Sequence, residues 1–174
     1  MAENDKSEGE RESPSPLVHD LVVDAERGAA DRLFNSDCAG LFLAPDDNTV
    51  ENRKKLAGQL DSLLDGGLIR QISQSALPSG TGSNVPAFTT GQSGLIYIVS
   101  GGAFFTGKID GKPIGGFASG LPLEAFDQLV IIHEFLHWEG IAGADSKGQK
   151  YTLPNGNKVK GSQGISKEVL KKCF

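Results

Sequence analysis

The chain has 174 residues, enough for one domain with a real core and too few for two comfortable ones. With 38% hydrophobic and 22% charged residues it reads as a globular domain, and a net charge of -5 excludes nucleic acid as a main partner, since phosphate binding needs a basic face. No apolar run is long enough to span a bilayer. The opening MAENDKSEGERESPSP (residues 1–16) is charged, polar and rich in Pro and Ser. It reads as a disordered tail or linker, not as a signal segment, and residues 17–174 read as a single domain.

In chain order, Val18, Leu21, Val22, Ala25, Ala29 and Leu33 recur at helical spacing, so a helix is expected over Leu17 to Phe34, with Gly28 as its weak point. A second helix follows Asn48, which with Glu51 three residues later fits a capping box. Leu56, Leu60, Leu63 and Leu64 form its apolar face, and Gly66–Gly67 stop it. LIRQIS alternates as a half-buried strand does. Ser75 to Gly94 is turn and loop in character. LIYIV (Leu95 to Val99) is the best strand in the chain. A hairpin with Asp110–Gly111 at its turn is expected next. Then a helix starts near Pro122, with Glu124 and Asp127 near the positive end of its dipole, and runs to Gly140. It is apolar on nearly all sides, so it belongs at the centre. A short helix, about Ser166 to Lys172, closes an α+β layout.

Two cysteines, Cys38 and Cys173, lie at opposite ends of this domain and outside any C-x-x-C pair. They read as one disulfide, stabilising by about 4 kcal/mol or more in the chain-entropy model, with two buried free thiols as the alternative. A disulfide implies an oxidising compartment: secreted or periplasmic.

The chemistry concentrates in LVIIHEFLHWEGIAGAD, Leu129 to Asp145. His133 and His137, four apart on one helix, project their imidazoles to the same side, where a zinc ion about 2.0–2.1 Å from each nitrogen fits between them. Glu134 can reach a water on such an ion without ligating it, and so serve as general base. Val130, Ile131, Ile132, Phe135 and Leu136 make a dry site plausible. The competing reading has both histidines as hydrogen-bonded core residues with no metal.

His133-Glu134-x-x-His137 resembles the zincin metalloprotease signature, and HEFLHWEG resembles the extended metzincin form, with Gly140 at the turning glycine. The resemblance covers roughly Leu129 to Asp145. It implies a zincin-like fold, a small mixed sheet packed on the HExxH helix with flanking helices, whose edge strand binds substrate in extended form. LIYIV is the candidate for that edge. It also implies a Zn2+-dependent peptidase with a peptide or protein substrate, here a monomer. The chain departs from metzincins in two ways. The third-ligand position is Gly143, which cannot ligate, and no methionine follows the site. Asp145 is the favoured third ligand, Glu168 the alternative, and His19 lies far upstream. In both departures the chain is more similar to small secreted bacterial proteins with HExxH, a downstream acidic residue and a C-terminal Cys. Tyr151 is a candidate oxyanion donor, set against a surface loop role. Trp138 is expected in the core or cleft wall and Glu139 in solvent. A zinc-binding domain without catalysis is the alternative to a peptidase.

Overall fold

A computed structural model describes residues 18–79, 85–143 and 148–174. The expected tail at 1–16 and Asp145 lie outside the described residues. The fold is α+β, as the sequence implied. Helices α1 (Asp20–Arg32), α2 (Ser36–Ala39) and α3 (Val50–Asp65) precede strands β1 (Ile69–Ile72), β2 (Ala87–Thr89) and β3 (Ile96–Val99). Then come helix α4 (Ala103–Thr106), the hairpin β4 (Lys108–Ile109) and β5 (Lys112–Pro113), helix α5 (Leu123–Trp138), the hairpin β6 (Lys150–Thr152) and β7 (Lys158–Lys160), and helix α6 (Gly161–Cys173).

Helix α5 is the axis on which the other elements pack. Every residue from Phe126 to His137 is buried, because α1, α6 and the main sheet cover it on different sides. An apolar helix without a polar face is stable only when enclosed in this way. Gly28 is what lets α1 approach. A Cβ there would lie 2.2 Å from the Gln128 side-chain amide on α5, so a larger residue would have to displace that buried amide. Gln128 in turn accepts from Arg32 Nε at 2.6 Å, tying the two helices.

The three-stranded sheet has the order β1-β3-β2. β1 runs parallel to β3 (Ile69 opposite Ile96), and β2 runs antiparallel to it (Thr89 opposite Ile96). LIYIV, the expected edge, is therefore the central strand. Its continuous apolar run reflects neighbours on both sides, as buried strands show. The edges are β1 and β2, the latter a three-residue strand inside a stretch that reads as loop. Ile69, Ile96, Ile98 and Ala87 are buried in the core, while Phe88 and Tyr97 pair with ring centroids 5.2 Å apart.

Smaller expectations are adjusted. The cap of α3 is Thr49, accepting from Asn52 N at 3.2 Å, while Asn48 donates to Ser36 O at 2.7 Å. Asp110 and Gly111 both have positive φ, 50° and 74°, as a tight hairpin turn requires. The last helix begins at Gly161, five residues before Ser166, and the β6–β7 hairpin precedes it unannounced. Among the described residues no helix is long and apolar enough to cross a membrane.

Cys38 and Cys173 are disulfide-bonded, tying α2 to the end of α6 across 135 residues. For a loop of that length the chain-entropy model gives about 5 kcal/mol. Replacing both cysteines by serine is expected to lower the unfolding free energy by roughly 3–5 kcal/mol in urea denaturation. An unchanged denaturation midpoint would remove the bond from the account of stability.

Two carboxylic acids are sealed in the core. Glu26 and Asp127 are each 0% exposed, and none of their carboxyl oxygens has a hydrogen-bond partner. Asp127, expected to serve the helix dipole, instead borders α1 beside Asp24 and Gly28. Burial pushes Asp127 up to about 8. Burial, with Asp61 as the next cause, pushes Glu26 up to about 8. Both values exceed those of free side chains, so the native state holds protons that the unfolded chain has released. Their contribution is fully present below about pH 4 and is lost as pH rises through 8. Stability measured by denaturation is expected to fall between pH 5 and pH 8, and Asp127→Asn is expected to reduce that slope. A slope identical in the variant would contradict the assignment.

Candidate metal centre

The site is made on the last two turns of α5. His133, Glu134 and His137 are 5%, 5% and 8% exposed. The four-residue spacing stacks the two imidazoles on one side of the helix, with ring centroids 4.9 Å apart. Their Nε2 atoms face each other at 3.1 Å. Two nitrogens bound to one tetrahedral zinc at about 2.0–2.1 Å would lie roughly 3.3 Å apart, so the pair is spaced as a shared ion requires.

The outward nitrogens are held by the surrounding fold. His137 Nδ1 lies 3.2 Å from Ala142 O, and His133 Nδ1 lies 2.8 Å from Ser166 Oγ on α6. Ala142 reaches its position because Gly140 (φ 74°) reverses the chain, with Ile141 N and Ala142 N both donating to Leu136 O. A side chain at Gly140 would also collide with Gln92, whose amide carbon lies 2.5 Å from the required Cβ position. Histidines that ligate metals characteristically use their second nitrogen in this way.

Glu134 faces β2. Thr89 Oγ1 donates to Glu134 Oε2 at 2.6 Å and to the Glu134 backbone carbonyl at 3.2 Å. Two clefts meet at this carboxylate. One, of about 440 Å³, is lined by Phe88, Thr89, Gly91, Glu134, His137 and Gly143. The other, of about 360 Å³, runs past Ala87, Phe117, Leu129 and Val130 to His133 and Glu134, and is largely apolar. β2 separates them. Pro86 O accepts from Val99 N on β3 and Thr90 N donates to Leu95 O just before it, so strand alternation turns the backbone groups of Ala87 and Thr89 to the unpaired edge.

Of the other candidates, Asp145 lies outside the described residues. Glu168 accepts from Asn157 Nδ2 at 2.5 Å, beside the β6–β7 hairpin. His19 caps α1, its Nδ1 accepting from Leu21 N at 3.0 Å. Among the described residues no group of three His, Cys, Asp or Glu side chains converges to hold an ion. The two histidines are thus the only part of a possible ligand set that the described residues bring together. Tyr151 is a buried strand residue and not a surface loop residue. A Cβ at Gly143 would lie 3.9 Å from its hydroxyl, which places the ring behind the lining of the first cleft. Trp138 is half-buried and donates to Gly94 O at 3.0 Å. Glu139, expected in solvent, is half-buried, with Oε1 sealed from solvent and without a partner. Burial raises its pKa.

Thr89, Ala142 and Ser166 were not singled out from the sequence. The alternation in PAFTT was a weak signal for β2. Nothing local marks Ser166, which meets His133 across 33 residues. No family model, curated protein or solved structure matches the chain.

Proposed function

We propose that the chain is a secreted or periplasmic zinc-dependent peptidase of the zincin type, with a zincin-like fold. The observation that carries the reading is the His133–His137 pair, with Nε2 atoms 3.1 Å apart and each Nδ1 tied to a fixed partner. His133 and His137 would hold the ion, with Asp145, from the sequence, as the proposed third ligand. When bound, zinc lowers the pKa of a water molecule and polarises a carbonyl.

The protein's own groups supply the rest. Glu134 takes a proton from the attacking water and returns it to the leaving amine as the C–N bond breaks. Thr89 holds Oε2, and Oε1 makes no hydrogen bond to the protein among the described residues, which suits a carboxylate that must exchange a proton. The outward-turned backbone of Ala87 and Thr89 suits an extended peptide added to the edge of β2. The largely apolar cleft beyond Glu134 suits a hydrophobic side chain next to the scissile bond. The disulfide supports an oxidising compartment.

Glu134→Gln separates catalysis from metal binding. The variant is expected to retain zinc and to lose at least a hundredfold in hydrolysis of a peptide-library substrate, because the amide accepts no proton. Wild-type protein that holds zinc yet cleaves nothing in a broad library would favour the non-catalytic zinc-binding domain.

A further inference from the structure

A groove of about 490 Å³ lies between α1 and the start of α5, and it shares no lining residue with the two clefts that meet at Glu134. Leu21, Asp24 and Asp31 of α1 line it, and their spacing puts them on one face of that helix. Leu123, Glu124 and Asp127 of α5 line the other side. Asp127 precedes His133 by about 9 Å along the helix axis. Asp127 borders the groove yet is 0% exposed, and neither of its carboxyl oxygens has a hydrogen-bond partner. Burying a polar group in that state is costly, and an apolar residue would occupy the position without the cost.

The walls of the groove are negative. Asp24, Asp31 and Glu124 are exposed there. Among the described residues the Asp24 and Asp31 side chains have no ion pair, and Glu124 accepts only a 3.4 Å bond from Gln128 Nε2. The neighbouring guanidinium groups are committed elsewhere. Arg27, which also borders the groove, is held by Asp61 at 2.7 Å and Asp65 at 2.9 Å, with Glu26 at 3.4 Å. Arg32 donates to Gln128 and to the Cys173 carbonyl, and stacks over the Phe174 ring. The groove therefore presents carboxylates that the fold leaves unbalanced, above an acid that the fold leaves unpartnered.

We propose that this groove binds an alkylammonium group, with the ammonium at Asp127 and the methylene chain along Leu21 and Leu123. The proposal does not depend on the zinc reading. An ammonium brings three N–H donors and a positive charge, which the Asp127 oxygens lack. In the empty groove burial holds the Asp127 carboxyl up to about 8. A cation in contact favours the ionised form, so binding releases one proton from Asp127 to solvent and leaves an ammonium–carboxylate pair. With no exposed surface, the carboxyl lies just beneath the floor, and the ligand reaches it by turning aside the exposed side chains of the rim. A bare metal ion fits less well, since among the described residues no three His, Cys, Asp or Glu side chains converge on one point. A free amine and a lysine side chain carry the same group.

The test titrates cadaverine and, separately, Nα-acetyl-lysine amide into the full chain at about 0.15 M salt. Binding is followed by calorimetry and by the chemical shift of the Asp127 carboxyl carbon. In wild type that signal is expected to move, saturably, from the protonated to the ionised position with at least one amine. The tighter amine identifies the source as a free amine or a lysine side chain. Asp127→Asn is expected to weaken binding by about 10- to 100-fold, because the amide supplies no charge to the buried contact. Asp24→Asn, on the exposed rim, is expected to weaken it by no more than about fivefold. An Asp127 signal that neither amine moves would overturn the proposal, and that result needs no variant to fold. Equal losses in the two variants would also overturn it, since they are the mark of diffuse attraction to an acidic surface. A signal moved by calcium chloride and by neither amine would replace the ammonium with a metal ion.

Discussion

Three polar side chains are buried near the C-terminal end of the apolar helix α5, and the surrounding structure gives each of them a partner. His133, Glu134 and His137 lie among Ile131, Ile132, Phe135 and Leu136, all four 0% exposed. Each polar group left without a partner there would cost about 1–3 kcal/mol. Each acquires one from a different direction: Thr89 from the edge strand, Ala142 from the chain reversed at Gly140, and Ser166 from the last helix. The elements that enclose α5 to bury its apolar surface are the same ones that orient its polar groups.

The contrast with Glu26 and Asp127 is instructive. Those acids are equally buried and their carboxyl oxygens accept no hydrogen bond, although Arg27 Nη1 lies 3.4 Å from Glu26 Oε2, and burial is the largest cause that raises both to about 8. Asp127 and Glu134 sit on the same helix, two turns apart. Of the two, Glu134 is given a donor and borders the two clefts beside the histidines. Partners and access coincide at the C-terminal end of α5.

The legibility of the sequence divides along the same line. Apolar periodicity revealed α1, α3 and α5, and the Cys38–Cys173 bond followed from the number and placement of cysteines. The His-Glu-x-x-His spacing put two imidazoles on one side of a helix, and they are found there because the pattern is local to that helix. What the sequence concealed was non-local. LIYIV looked like an edge strand, and only pairing reveals that it is central and that Ala87–Thr89 forms an edge. Gly28 looked like a weak point of its helix because the Gln128 side chain that fills its space is 100 residues away. Ser166 could not be foreseen at all, since a serine on a helix has no chemistry until α6 is laid against α5.

The central claim is that the paired imidazoles hold one zinc ion. Elemental analysis of purified protein supplied with zinc tests it most directly, on wild type beside His137→Ala and Asp145→Ala. The account predicts about one zinc per chain in wild type, near none in His137→Ala, and a clear loss in Asp145→Ala. Zinc absent from wild type would contradict it and leave His133 and His137 as hydrogen-bonded core residues.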